Sequence, residues 1–279
     1  MKTTGWEKYL QVDKRIIWSI WLLIMFVALV RPIGFPGVVS PYVQKAYDFL
    51  MLQPAGTICC SSIAGFTSFL DGNQWPSQVA VTNVLFRQHF RIVFIGTVDA
   101  ANNMDFVLDP AKKQIDTYGA VYGVDYVVLG PVQAETTYAG LYRDIWGYLK
   151  GVDMYGNKFS DLSLMAEVHT AKDFQFAYYH AGAESLFDIQ LRQQIITYRT
   201  PTIGTGPDAM ASYIKQFVQS GDLVAGFSGA SGAAEFERLS GIFKQGTALQ
   251  DAYALTVIFF IAIVILANVP VLAKMSGRK

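Results

Sequence analysis

Cysteine, histidine and charge are all scarce in this chain. Its 279 residues include two cysteines and three histidines, and Asp, Glu, Lys and Arg together make up only 16%. Each shortage removes a class of protein. The cysteines, Cys59 and Cys60, are adjacent, and a bridge between neighbours forces strained geometry, so no disulfide framework is expected. In "TICCSSIAG" they read instead as two thiols on opposite faces of a buried strand, acting as small apolar side chains. His89, His169 and His180 are scattered; "EVH" and "HAGAE" bring a glutamate near a histidine, but without an H-E-x-x-H or paired-histidine spacing no metal ligand is assigned. The first apolar strand runs into "SSIAGFTSFLDGNQWPS" rather than G-x-G-x-x-G, so no dinucleotide cofactor is expected. No G-x-S-x-G elbow surrounds Ser61, Ser62 or Ser228, although "GFSGASG" imitates one in part. Carboxylates such as Asp144 and Asp153 have no spacing that gives them catalytic roles. The expectation is a chain without catalytic residues, cofactor or metal.

What the chain has in plenty is apolar sequence, 52% of its residues. "IIWSIWLLIMFVALV" lies between Arg15 and Arg31 and, with the uncharged residues that follow, predicts a transmembrane helix over residues 16–33. "AYALTVIFFIAIVILANVPVLA" predicts a second over residues 252–273, long enough to cross at ~1.5 Å per residue. Lys2, Lys8, Lys14 and Arg15 precede the first, and Lys274, Arg278 and Lys279 follow the second, so residues 1–15 and 274–279 are expected to be cytoplasmic. "VALVRPIGFPG" offers no small-x-small cleavage site, which reads the first segment as an uncleaved anchor rather than a signal peptide. Asn268, the one strongly polar amide in either span, is expected to face protein rather than lipid.

The intervening residues 34–251 are then an extracytoplasmic domain, and 218 residues suffice for one sizeable core. Residues 32–251 hold 14 Lys plus Arg against 20 Asp plus Glu, a net charge of −6. Nucleic acid is excluded as a partner, since phosphate neutralisation needs a basic face. Short apolar runs alternate with segments of helical period: "GTICCSSIAG", "RIVFIGTVDA", "VDYVVLGPV", "DFQFAYYHAG", "TPTIGTGP" and "DLVAGFSG" as strands, with helices between them. The pattern predicts an α/β, Rossmann-like domain with a mainly parallel sheet and helices on both faces. Residues 147–172 depart from the alternation, and such a segment either carries function or covers a sheet edge.

Two glycine-bearing turns follow strands and precede helices: "GTGPDAM", with Gly204 and Gly206, and "GFSGASGAAEFERLSG", with Gly229 and Gly232. Backbone amides there can face an anion, but Asp208, Glu235 and Glu237 are read as already using the helix dipoles, which favours tight packing. Tyr138, Tyr142, Ile145, Trp146 and Leu149 recur at helical spacing. They line a core-facing helix or, if exposed, give an interface led by Tyr138, Tyr142 and Trp146.

"RPIGFPGVVSPYVQKAYDFL", the central "VDYVVLG" and the finish "SGDLVAGFSGASGAAEFERL" ahead of a final helix ending "ANV" resemble a family of bacterial and archaeal membrane proteins. The resemblance implies two anchors flanking an α/β domain and brings no activity, ligand or catalytic residue with it. The expected function is a membrane-anchored, non-catalytic structural or interaction subunit of a cell-envelope assembly. Its partners would be the membrane and copies of itself or other envelope membrane proteins. The alternative is an extracytoplasmic small-ligand-binding protein or hydrolase using the crevice at the carboxyl ends of the strands.

Overall fold

The computed structural model describes residues 13–65, 75–132 and 134–275. Lys2, Lys8, Arg278, Lys279 and most of the turn after the first strand lie outside them. In chain order the elements are α1 (Lys14–Val30), α2 (Pro41–Met51), β1 (Ile58–Ala64), α3 (Trp75–Arg87), β2 (Arg91–Thr97), α4 (Val98–Ala101), α5 (Asp105–Tyr118), β3 (Tyr126–Val132), α6 (Ala134–Arg143), α7 (Ile145–Tyr148), β4 (Phe176–Ala181), α8 (Glu184–Gln190), β5 (Thr202–Gly206), α9 (Ala211–Ser220), β6 (Ala225–Ser228), α10 (Gly229–Ser240) and α11 (Gln245–Met275). Two compact units result, Gly37–Gly246 and Met1–Pro36 with Thr247–Lys279.

In Gly37–Gly246, all six apolar runs read as strands are strands. They form one sheet among the described residues, in the order β3-β2-β1-β4-β5-β6, with every neighbouring pair parallel. Parallel strands must be covered on both faces, and alternation along each strand divides the core accordingly. Cys59 and Ile63 of β1, with Phe94 and Phe176, pack with α2, α3, α5 and α10 on one face. Cys60, Val93, Ile95 and Leu129 pack with α6 and α7 on the other. Ala64, Tyr179 and Ala181 continue that second face against α8 and α9. The two thiols are free and buried, on opposite faces as expected.

The aperiodic stretch turns out to be a cover. Its short 3₁₀ turns lay Phe159, Leu164, Met165, Val168 and Ala171 into the core. Met154 N–H donates to the Val128 carbonyl, occupying the outer edge of β3. The glycine-rich motif requires a correction. Glu235 and Glu237 were expected in the first turn of their helix, but α10 already begins at Gly229, because Gly232 and Ala233 fit beneath Phe227 and the returning chain. The two carboxylates therefore sit further along and hold backbone: Glu235 accepts from Ser40 N–H at 2.8 Å, and Glu237 from Lys244 N–H at 2.8 Å and Gly246 N–H at 3.0 Å. Both ends of this unit are thus fastened to one helix. A Cβ at Gly246 would come within 2.7 Å of Ala234 N, so the small residues let the chain lie directly on α10.

In the other unit, Trp21 Nε1 donates to Thr256 Oγ1 and Trp18 meets Phe260 edge-on, which pairs α1 antiparallel with α11. Just beyond α1, three successive N–H groups, of Ile33, Gly34 and Phe35, converge on the Asp251 carboxylate at 2.5, 2.8 and 3.0 Å. The turn that aims them together needs Gly34 at φ 77°. The stretch Gln245–Val269 is long and apolar enough to cross a membrane. α1 has 17 residues, a rise of about 26 Å against the ~30 Å of a hydrocarbon core, so the second expected span does not meet that measure.

Two outcomes follow from this packing. Neither thiol should react with Ellman's reagent in the folded protein, and two equivalents should react in denaturant; a thiol titrating in the native state would show that the centre of the sheet opens. Asp251→Ala should destabilise the pairing of residues 33–35 with α11 by about 1–3 kcal/mol, read as a lower unfolding midpoint in detergent, with Asp251→Asn falling between.

Candidate functional site at the strand-order reversal

Sheet order reverses between β1 and β4, the place where open α/β sheets collect ligands at the carboxyl ends of their strands. Here β1 carries Ser61 and Ser62 in full burial, and register places Ile63 beside His180 of β4. The alternation sends polar groups to both faces. On the α3 face, His180 Nδ1 lies 2.9 Å from Thr205 Oγ1 and 3.4 Å from Ser77 Oγ, and Thr205 Oγ1 lies 2.8 Å from Tyr178 OH. Burial lowers the His180 pKa to about 3, so the imidazole is neutral at physiological pH. A neutral imidazole can take a proton from a hydroxyl, but His180, Ser77 and Thr205 are all fully buried. The arrangement is a hydrogen-bonded core rather than an exposed nucleophile.

On the opposite face, Cys60 and Ser62 meet Tyr138 and Tyr142 of α6 and Gln190 and Gln194. The glutamines flank the junction where α8 passes into a π-helical turn, Leu191–Ile196. Gln190 Nε2 donates to Tyr142 OH and to Gln194 Oε1. Burial pushes the Cys60 thiol up to about 12 and both phenols above their usual range, so the cluster carries no charge at physiological pH. Among the described residues no group of three or more His, Cys, Asp or Glu could hold a metal.

The four glycines singled out in the sequence are placed by packing. A Cβ at Gly204 would come within 2.7 Å of Phe187, one at Gly206 within 2.9 Å of the Ala181 carbonyl, and one at Gly232 within 2.9 Å of Phe227. Gly229 takes φ 63°, and a Cβ there would fall on the Asp208 carboxylate. That carboxylate, with its pKa raised by burial, lies against the start of α10, where an anion would otherwise sit. Tyr138 and Tyr142 are buried and stacked on each other, which is the core-facing arrangement of the aromatic stripe. Trp146 is half-buried and its Nε1 donates to the carbonyls of Met165 and Val168. Asn268 is exposed, and its amide donates to the Val264 carbonyl one turn earlier in α11.

Of the other histidines, His169 stacks on Trp146 and His89 meets Tyr118 edge-on. Asp144 caps α7 through Gly147 N–H, and Asp153 accepts from Tyr122 OH, Tyr155 N–H and both nitrogens of Asn157. These two carboxylates hold turns and do not converge. Gln190 and Gln194 were missed by sequence reasoning, for they read as two polar residues of an ordinary amphipathic helix. The only available signal was their spacing of four, which puts them on one face. No protein-family model, curated protein or solved structure matches this chain, and its function is read from the geometry.

The neutral His180 has a consequence in pH. The folded imidazole takes its proton near pH 3 and the unfolded one near 6.5. Between those values the unfolded chain binds more protons, so stability falls as pH drops through this window, by up to ~1.4 kcal/mol per unit. Urea midpoints measured from pH 7 to pH 5 should fall for the parent, and the slope should flatten in His180→Gln.

Proposed function

We propose that this chain is a membrane-anchored, non-catalytic subunit of a cell-envelope assembly. In this reading α1 and α11 form a two-helix anchor with both termini cytoplasmic, and the α/β domain is extracytoplasmic and serves as an interaction module. The observation that carries it is the outward display of large apolar side chains along α1 and α11, among them Leu23, Phe26, Val264 and Leu266, each at least 60% exposed. Such surface is stable only under an apolar cover, lipid or protein. α1 falls short of a full crossing by helix alone, and the uncharged residues after it extend the apolar stretch. The basic residues on the terminal sides of both helices support the orientation. The non-catalytic half of the reading draws on the inward closure of Ser77, His180 and Thr205.

A second reading, a small-ligand-binding protein, is favoured by one observation: the strand-order reversal coincides with a buried hydroxyl, Ser61, that has no hydrogen-bond partner among the described residues.

Gentle detergent extraction followed by mass measurement tests the first reading. It should give an oligomer or a complex with other membrane proteins, and a sharply monomeric particle would overturn it. Tags at residues 1 and 279 should be protected from protease in intact cells and a tag beside Asn157 should be cut; the reverse pattern would invert the topology. Asn268→Leu should weaken association by ~0.6 kcal/mol and at most ~2, measured across a dilution series, if the exposed amide bridges helices.

A further inference from the structure

We infer that Lys14 and Arg15 bind phospholipid headgroup phosphates from within the leaflet nearer the chain termini, so that the hydrocarbon layer is thinner beside α1 than beside α11. The inference rests on the membrane-anchor reading and deepens it by naming the lipid chemistry that meets the shorter helix.

It begins with an inequality of length. α1 carries 15 uncharged residues between Arg15 and Arg31, and α11 carries 22 between Asp251 and Lys274. At ~1.5 Å per residue these are about 23 and 33 Å, against ~30 Å for a hydrocarbon core. The helices are tied at one end, where the N–H groups of Ile33, Gly34 and Phe35 converge on Asp251. Partway along, Thr256 Oγ1 meets Trp21 Nε1 and the Met25 sulfur, and Trp18 meets Phe260. The whole difference therefore falls at the other end. Lys14 lies one turn beyond Trp18, which brings it level with Val264, about 15 Å along α11 from Lys274.

No flat layer suits both helices. With its surface at Lys274, the charges of Asp13, Lys14 and Arg15 would lie in hydrocarbon, where they are costly, and snorkelling covers only part of the distance. With its surface at Lys14, the apolar side of α11 from Ile265 onward would lie in water, including Leu266, which is 69% exposed. Asn268 falls within this stretch and donates its amide to the Val264 carbonyl. Tilting carries the paired helices together and leaves the difference in place. A leaflet drawn inward on the α1 side meets both demands, and local thinning is among the accommodations a bilayer makes at modest cost.

The charges at that end select what is drawn in. Lys14 and Arg15 are exposed, and neither has an ion-pair partner among the described residues. Asp13 caps α1 by accepting from Arg15 N–H at 2.9 Å, and a net positive charge remains at the positive end of the helix dipole. Phosphate is the anion that phospholipid carries at this boundary, and a guanidinium holds it with paired N–H donors while an ammonium meets it as a point charge.

The test uses the full chain in dioleoylphosphatidylcholine vesicles, with a nitroxide label on Ile16→Cys or on Leu266→Cys, the two native thiols being buried. Each label broadens the phosphorus NMR signal of the headgroups near it. Along the helix pair Leu266 lies closer to the terminal-side surface than Ile16, so a flat layer gives the stronger broadening from Leu266. The thinned leaflet reverses that order, and adding Lys14→Gln with Arg15→Gln should restore it. Stronger broadening from Leu266 in a chain that floats with the vesicles overturns this proposal and leaves the membrane-anchor reading standing. A chain that does not float with them overturns both. A reversed order that survives the double substitution takes the phosphate contact away from Lys14 and Arg15 and overturns the proposal as well.

Discussion

Strand β1 has to be covered twice. All seven of its residues are buried, with β2 and β4 hydrogen-bonded on either side and a helical layer above and below. An apolar strand would meet that constraint with Val and Ile alone, yet positions 59 to 62 are Cys, Cys, Ser and Ser. Each serine placed there needs a hydrogen-bonding environment on its own face, because an unpaired buried hydroxyl is costly. Two polar clusters of the domain lie on the two faces of this strand. His180, Thr205, Tyr178 and Ser77 gather on one face, and Tyr138, Tyr142, Gln190 and Gln194 on the other. Their placement follows from the pleat, which sends neighbouring residues to opposite faces.

A second regularity concerns the acids. The domain is net acidic, and several of its carboxylates hold backbone amides. Asp251 takes three N–H groups, Glu237 two, Glu235 one, Asp144 one and Asp153 two together with a phenol and a side-chain amide. A carboxylate suits this work because each charge-assisted bond is stronger than its neutral counterpart and two oxygens can serve several donors. The arrangement fixes chain where no sheet or helix ladder can, at the ends of units and in aperiodic turns.

The strands were legible because parallel strands covered on both faces read as near-continuous apolar runs between Gly and Pro. The start of α10 was not: "GASGAA" has the composition of a turn, and only the contacts of Gly232 with Phe227 and of Gly246 with Ala234 show why small residues were needed in a helix. The cover after α7 has no period to read, since its conformation is set by the individual bonds of Asp153 and Asp173. At the candidate site, Cys60, Ser61, Ser62 and His180 each stood out in the sequence. Their convergence depends on register between β1 and β4, two strands separated by more than a hundred residues, which no local pattern encodes. Tyr138 and Tyr142 were legible as a stripe, whereas their hydroxyls' meeting with Ser62 was not.

The two units follow opposite rules for where apolar side chains go. In Gly37–Gly246 the large aromatics turn inward, with Phe94, Phe176, Tyr178 and Phe236 among the fully buried. In α1 and α11 the leucines, isoleucines and phenylalanines turn outward, and the contacts made between the helices include polar ones: Trp21 with Thr256, and Thr256 with the Met25 sulfur. A protein that meets water on all sides has no reason to make this inversion, because apolar area left in water costs ~25 cal/mol per Å². Under an apolar cover the preference reverses. Hydrocarbon offers nothing to a hydroxyl or an indole N–H, so polar groups pair with each other while the aliphatic side chains are free to face outward. With α1 and α11 placed in the membrane as proposed, the same physics governs both units: polar groups find protein partners at the centre of the sheet and along the paired helices alike.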